Sequence, residues 1–173
     1  MKRLLIFLVL SVLTVSCLND VDFEQSDNLE VIVPYNIAFI HFKTIQSDFL
    51  SESNNYVSIS QEFYPNLNDD FKSRIYSDIT LLIEVENTFD SGFDITIEFR
   101  DDSDNLLQNT MLDIPSNAGS TTNSTFKETL VLPLDVFLQT RKVITTITPL
   151  TSTLTGNSNV LSLKSKLSFD VKY

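Results

Sequence analysis

The chain has 173 residues, with 12 basic and 23 acidic side chains, one cysteine and no tryptophan. Its net charge of −11 argues against nucleic-acid binding, because phosphates are met by a positive surface. The single cysteine, Cys17, excludes both an internal disulfide framework and a cysteine zinc site.

The charge is divided unevenly along the chain. Residues 18–113 carry 20 acidic side chains against four basic ones, whereas residues 114–173 carry six basic against three acidic. Such a balance mainly serves solubility and identifies no partner. We therefore expect an acidic domain whose lysines are concentrated in its last third.

The N-terminus has the parts of an export signal. Lys2 and Arg3 precede an apolar run, Leu4–Val15, that is too short to span a bilayer. The run ends at Cys17, and Leu13–Cys17 resembles the lipobox of bacterial lipoproteins, departing from it at Thr14, where Leu, Val or Ile is usual. The resemblance implies a diacylglyceryl thioether on Cys17, cleavage before it and an acylated new N-terminus. An ordinary secretory signal is the alternative.

Three segments follow from this reading of the N-terminus: a signal peptide at residues 1–16, an acidic tether at 17–30 and a single domain at 31–173. The tether is polar and has no apolar period, which favours a flexible linker. Asp20, Asp22 and Glu24 resemble the acidic export tags of Bacteroidota-type lipoproteins. That resemblance implies the outer membrane, while a linker simply rich in acids is the alternative.

The first part of the domain gives mixed signals. Val31–Val33 ends at Pro34, which marks a sheet edge or a break because proline cannot donate to a ladder. Asn36–Phe42 is apolar on both faces and predicts a buried strand. Residues 43–65 have no sustained period, so we expect a long excursion with a short strand near Tyr56–Ser60.

The strongest pattern runs from Ile79 to Arg100. Its apolar residues occupy odd positions and its even positions are mostly polar, which predicts strands with one buried face. Asp90-Ser91-Gly92 interrupts the pattern, so we predict a three-residue hairpin loop with Gly92 at positive φ. The odd positions are Ile79, Leu81, Ile83, Val85, Phe89, Phe93, Ile95, Ile97 and Phe99.

The polar face of this predicted hairpin crowds four carboxylates. In the predicted register Glu84 lies opposite Glu98, with Glu86 and Asp94 nearby. Like charges directly opposite destabilise a sheet, so we expect a compensating lysine from the later strands. The candidates are Lys127, Lys164 and Lys166. A site for a cation or a basic partner at Glu84 and Glu98 is the alternative.

The remaining segments complete a series of short elements. Asn68, ahead of two aspartates, predicts a capped helical turn, and Pro133 suits the start of a second one. The polar cluster 101–105 predicts a turn, and loops are expected around Gly119 and Gly156. Strands are predicted at Leu106–Ile114, Thr125–Leu132, Lys142–Leu150 and Leu161–Tyr173.

Together these elements predict an all-β fold, an antiparallel β-sandwich of about seven strands, Ig-like or similar, with one or two helical turns and an N-terminal signal helix. A partly closed barrel is the alternative. Val85–Phe93, with Asn87 at its turn, resembles the late-embryogenesis-abundant type 2 sandwich. The lipobox, acidic tether and Phe-rich strands together resemble uncharacterised Bacteroidota-type lipoproteins, a family that brings no known activity.

Few residues of the chain point to chemistry. His41, the only histidine, shares a face with Ile37 and Phe39 in the predicted strand at a sheet margin. Asp101, Asp102 and Asp104 could bind a cation weakly, although the glycine and glutamate of a calcium loop are missing. Paired carboxylates of the glycosidase type usually come with aromatic sugar platforms, and the chain has no tryptophan.

The sequence therefore favours a non-enzymatic protein without a cofactor, attached to the membrane through lipid on Cys17. Its expected role is to bind another envelope protein or a polymer, or to serve as a subunit of a complex. Two alternatives from other classes remain: a cation-dependent binding module that uses 101–105 or the Glu84/Glu98 face, and an envelope hydrolase.

Overall fold

Two four-stranded antiparallel sheets face each other in the computed structural model, which describes residues 30–52, 55–117, 124–151, 154 and 159–173. Sheet I has the strand order β1-β8-β3-β6, and sheet II has the order β2-β7-β4-β5. The strands are β1 (Ile32–Ile45), β2 (Ile59–Phe63), β3 (Ile79–Asn87), β4 (Phe93–Arg100), β5 (Leu106–Ile114), β6 (Ser124–Leu132), β7 (Lys142–Pro149) and β8 (Val160–Lys172).

The predicted all-β antiparallel sandwich is confirmed, with eight strands in the described ranges instead of about seven. The signal peptide, the lipid-attachment cysteine, all of the tether except its last residue and the loops around Gly119 and Gly156 lie outside the described residues. Within the part that the structure describes, no helix is long and apolar enough to cross a membrane.

The core lies between the two sheets, and Ile32–Tyr173 forms one compact unit around it. Every odd apolar position predicted from Ile79 to Phe99 is buried, at 0–1% exposure. Strand β8 contributes a second buried row from Leu161 to Val171, whereas Tyr173 at its end is exposed. Burying each of these side chains stabilises the fold by about 1.5–3 kcal/mol, so the period-two pattern identifies the main source of stability.

The predicted hairpin between β3 and β4 is wrong, although both strands exist. Strand β3 pairs with β6 and β8 in sheet I, and β4 pairs with β5 and β7 in sheet II. The connection Thr88–Gly92 therefore crosses from one sheet to the other as a β-arch. Both connections bury the same odd positions, because the two sheets face each other with those positions inward. Periodicity alone could not separate them.

Strand β1 changes the set of positions that face inward. Up to Phe39 the odd positions point to the core, and from Ile40 onward the even positions do. The pairing with β8 shifts between Ala38 and His41, which is a β-bulge that turns Phe39 and Ile40 inward together. The backbone N–H of Ile40 donates to Ser165 Oγ of β8 at 2.8 Å, so the irregular position keeps a hydrogen bond.

The bulge explains why Asn36–Phe42 has apolar residues at both odd and even positions. The prediction of a strand buried on both faces is wrong there, because the outward positions of this edge strand are exposed. His41 lies on the outward face, not on the face of Ile37 and Phe39. Pro34 lies in β1 at the edge of sheet I, as its missing N–H predicts.

The short helices begin where the sequence indicated. Helix α1 (Asp69–Lys72) is capped by Asn68, whose side chain accepts from the N–H of Phe71 at 2.7 Å. Helix α2 (Leu134–Gln139) follows Pro133 and buries Phe137. In the segment 43–65, a 3-10 turn forms at Gln46–Phe49, and the short strand starts at Ile59, slightly later than predicted.

Candidate functional site

The candidate site residues fall on different parts of the sandwich. Cys17 lies outside the described residues, so its lipid attachment stays a prediction. Glu84 is on β3 of sheet I, and Glu98 is on β4 of sheet II. The predicted opposition of Glu84 and Glu98 is therefore wrong, because the β-arch separates their strands. Each carboxylate instead forms an ion pair with a different basic side chain.

Glu84 lies between two lysine-bearing strands in the middle of sheet I. It is paired in register with Lys127 of β6 and with Lys164 of β8. Lys127 Nζ donates to Glu84 Oε1 at 2.6 Å. This hydrogen bond, together with the charges of Lys127, Lys164 and Lys166, lowers the pKa of the Glu84 carboxyl. The prediction that a lysine from the later, basic part of the domain compensates Glu84 is confirmed.

Glu98 is compensated from within its own strand. Arg100, two residues further along β4, donates from Nη2 and Nε to Glu98 Oε2 at 2.8 and 3.0 Å. The hydrogen bond with Glu98 raises the pKa of the Arg100 guanidinium. Residues two positions apart on one strand lie on the same face of the sheet, so the sequence contains the information that predicts this pairing.

The cluster 101–105 forms the turn between β4 and β5, which pair as an antiparallel hairpin. Asp101 Oδ1 accepts from the N–H groups of Ser103 and Asn105 at 2.9 and 2.8 Å, and Asp101 Oδ2 accepts from Asn105 Nδ2 at 2.9 Å. The Asn105 side chain makes the largest contribution to lowering the pKa of the Asp101 carboxyl. The carboxylate thus closes the turn.

Asp104 connects this turn to strand β7. It adopts a left-handed backbone conformation with φ 67°, and its carboxylate lies 2.5 Å from Lys142 Nζ. The hydrogen bond with Lys142 lowers the pKa of Asp104 and raises that of Lys142. Lys142 also approaches Glu62 of β2 at 3.6 Å. Sequence reasoning missed Lys142, because its two partners, Asp104 and Glu62, come from separate segments that are distant from it in sequence.

A cation role for the predicted acidic residues stays a prediction. In the described ranges, no group of three or more His, Cys, Asp or Glu side chains could hold a metal ion. Asp101 and Asp104 direct their carboxylates to the turn and to Lys142, and Asp102 accepts a 3.3 Å hydrogen bond from the Ser103 hydroxyl. These ion pairs and hydrogen bonds link β4, β5, β7 and β2 at one corner of sheet II.

The aromatic residues of segment 43–65 are divided between core and surface. Phe49 is fully buried and packs against Phe89 and Phe93 with ring centroids 6.4 and 5.4 Å apart. Tyr56 donates to the carbonyl of Leu154 at 3.1 Å, whereas Tyr64 is 59% exposed. Of these three aromatic side chains, Phe49 belongs to the buried core, and Tyr56 packs against it while partly buried.

Comparison with known proteins gives structural similarity only. No protein-family model and no curated protein sequence matches the chain. Among solved structures, it is similar to infectious bursal disease virus, Gx strain (TM-score 0.47, 12% identity, 82% of this chain and 32% of that one), and to the VP2 subviral particle of the same virus (TM-score 0.43, 12% identity, 81% and 33%). It also resembles the bacteriophage CBA120 tailspike protein 4 (TM-score 0.40, 9% identity, 82% and 19%).

The chain spans about a third of the length of the infectious bursal disease virus proteins it matches. At these scores and identities the similarities carry no inference about activity, ligand or assembly.

Proposed function

We propose that this protein is a lipid-anchored β-sandwich of the bacterial cell envelope, with a binding or structural role on the outer membrane. The observation that carries the proposal is the apolar run Leu4–Val15 followed at once by Ser16 and the only cysteine of the chain. Acyl chains on Cys17 anchor the domain, because each methylene group buried in the membrane contributes about 0.8 kcal/mol. Several acyl chains together hold a protein firmly on the membrane, whereas a single one does not.

The position of the first strand supports the same function. Fourteen residues separate Cys17 from Ile32, where β1 begins. A fully extended chain of this length reaches about 50 Å, so the anchor keeps the sandwich close to the lipid surface in every conformation. A folded unit held beside a membrane is suited to binding another envelope protein or a polymer, or to serving as a subunit of a complex there.

The test of the anchor compares the intact chain with Cys17→Ala in a bacterial host supplied with labelled palmitate. We expect label and membrane retention for the intact chain and neither for the variant. Ser16→Gly is the matched control, because it keeps a small residue before the cysteine and should be labelled normally. An intact chain that is released without label would show an ordinary secretory signal and overturn the proposal.

The binding role is tested by cross-linking the mature lipidated protein in intact cells and identifying what is captured. A defined envelope protein or polymer that is captured with the intact chain, and lost with Cys17→Ala, supports a role at the membrane. Capture that does not depend on Cys17 would contradict it, since the anchor would then serve no purpose in partner binding.

A further inference from the structure

The two outer faces of the sandwich carry opposite charge. On the outer face of sheet I, the central rows of side chains hold four lysines against two glutamates. These residues are Lys43, Lys127, Lys164, Lys166, Glu84 and Glu86. On the outer face of sheet II, the strands hold four carboxylates, Glu62, Asp94, Glu98 and Asp113, against Arg100 and Lys142. A chain with a net charge of −11 thus has one basic side.

The four lysines come from three strands and converge because of the register. Lys164 lies opposite Glu84 in β3 and opposite His41 in β1, and Lys127 lies opposite Glu84 from β6. Lys164 and Lys166 are exposed and two residues apart on β8, so they point to the same side. We call the surface formed by Lys43, Lys127, Lys164 and Lys166 the lysine face.

Only two glutamates, Glu84 and Glu86, lie among these lysines, and Glu84 is shared between several of them. Glu84 forms its ion pair with Lys127, and the charges of Lys164 and Lys166 also lower its pKa. Two shallow depressions of about 290 and 440 Å³ lie beside Lys164, lined by Glu84 and Lys166 on one side and by Lys43 and Glu86 on the other. Neither is a deep pocket, so the lysine face suits a flat, extended anionic surface.

We propose that the lysine face lies against anionic phospholipid headgroups and fixes the orientation of the anchored domain on its membrane. This inference rests on the proposed lipid anchor. Strand β1, the first element after the tether, is the edge strand of the same sheet I. The attraction of lysines to an anionic membrane acts within about 10 Å, a distance that the anchor makes accessible. The acidic outer face of sheet II is repelled by the same headgroups, so both faces favour one orientation.

The experiment measures lysine accessibility in the mature lipidated protein on vesicles. One vesicle set is phosphatidylcholine alone, and the other is an equal mixture of phosphatidylcholine and phosphatidylglycerol. An amine-reactive reagent is added, and modification of each lysine is followed by mass spectrometry. We expect Lys43, Lys164 and Lys166 to react about fivefold more slowly on the anionic vesicles, with Lys142 of the other face unchanged. High salt should remove the difference.

Two variants test the charge directly. Lys164→Gln combined with Lys166→Gln should abolish the slower reaction at Lys43 on anionic vesicles, whereas Lys142→Gln, the matched control, should leave it. Glu84→Gln removes a negative charge from the lysine face and should increase the protection. All these positions are outward on strands, and a melting curve of each variant verifies that the fold is intact.

The outcomes that overturn the proposal are separable from failure of the anchor. Without lipid on Cys17 the protein does not stay on either kind of vesicle. If it stays on both and the lysines react equally, the face inference is wrong while the anchor stands. If polyglutamate in solution protects the lysines on neutral vesicles but anionic vesicles do not, the face binds an acidic polymer and not the membrane.

Discussion

Asn87 holds the β-arch between β3 and β4 together with a single side chain. It is completely buried, and its Nδ2 donates to the carbonyl oxygens of Ser91 and Pro115, both at 2.8 Å. Its Oδ1 accepts from the backbone N–H of Phe89 at 2.9 Å. A buried polar group is tolerated when its hydrogen bonds are made, and here the amide replaces backbone pairing where the chain leaves one sheet for the other.

We predict that Asn87→Ala lowers the free energy of unfolding by about 3 kcal/mol, because three backbone groups, those of Ser91 and Phe89 in buried positions, lose their partner. The measurement is urea denaturation at neutral pH. Asn109→Ala, on the exposed face of β5, is the matched control and should change stability by less than about 0.5 kcal/mol. Equal effects of the two variants would show that the arch does not depend on this amide.

Glu84 gives a pH dependence whose direction follows from its partner. Its folded-state pKa is lowered by Lys127, so its contribution to stability is present above the unfolded-state pKa and is lost as pH falls through the folded-state pKa. Asp104, whose pKa Lys142 lowers, acts in the same direction. The free energy of unfolding should therefore decrease as the pH falls below the ordinary pKa range of a carboxyl group.

We predict that Lys127→Gln raises the pKa of Glu84 toward its ordinary value while the Asp104 pKa stays low. Carboxyl titration by NMR measures both groups in one sample. Lys142→Gln is the reciprocal control, and it should raise the pKa of Asp104 alone. Because the Glu84–Lys127 pair is exposed, the change in stability should be small. A Glu84 pKa that does not respond to Lys127→Gln would contradict the pairing.

At the scale of the element, Gly92 lies in a connection between strands, as predicted, but the reason predicted for a glycine there is wrong. A hairpin would need positive φ at this position, but Gly92 does not adopt that conformation in the β-arch. It is a glycine because a Cβ would lie 2.8 Å from the carbonyl oxygen of Ile114 and 3.1 Å from a methyl group of Leu150. The backbone of β4 begins too close to its neighbours for a side chain.

The two explanations predict different mutants. We expect Gly92→Ala and Gly92→Asn both to destabilise the protein by about 1–3 kcal/mol, because either Cβ meets the Ile114 carbonyl. A left-handed glycine would instead tolerate asparagine better than alanine. Thermal denaturation of both variants decides between a close backbone approach and a left-handed turn.

The bulge in β1 explains the polar residue within the buried row of β8. Ser165 is buried, and its hydroxyl accepts from the N–H of Ile40, which the bulge removes from the regular ladder. We predict that Ser165→Ala destabilises the fold by about 1–3 kcal/mol, because it leaves that N–H without a partner. Ser162→Ala, on the outward face of the same strand, is the control for hydrogen-exchange and melting measurements and should be nearly neutral.

At the scale of the whole molecule, strand pairing separates the observed sandwich from the predicted hairpin. Glu84 and Lys127 are direct partners in adjacent strands, about 5 Å apart between Cα atoms, whereas Glu84 and Glu98 lie on the outer faces of opposing sheets that are about 10 Å apart. In a Cys17→Ala background, Glu84→Cys with Lys127→Cys should form a disulfide on mild oxidation. Glu84→Cys with Glu98→Cys should remain reduced.

Mass spectrometry without reduction reads both results. The reverse pattern, with cross-linking of the Glu84/Glu98 pair, would restore the hairpin and remove the two-sheet topology. A disulfide in neither pair would contradict the β3–β6 register.

Several predicted features are confirmed because they depend on neighbours in sequence. The alternation from Ile79 to Phe99, the Asn68 cap and the 101–105 turn involve residues a few positions apart. The compensation of Glu84 was partly predictable, since the uneven charge along the chain concentrates the lysines in the later strands. Which lysine lies opposite it required the register of β3 with β6.

The sequence by itself determined which residues are buried in the regularly alternating strands, where most strands lie and that they form an all-β sandwich, because burial there follows from a period of two. Only the tertiary structure decided which strands pair, that β3 and β4 lie in opposing sheets, and that a bulge reverses the faces of β1. The physical reason is that the same inward positions serve a hairpin and an arch equally. The choice between them is made by long-range contacts, such as those of Asn87 with Pro115 and of Gly92 with Ile114, which no local pattern contains.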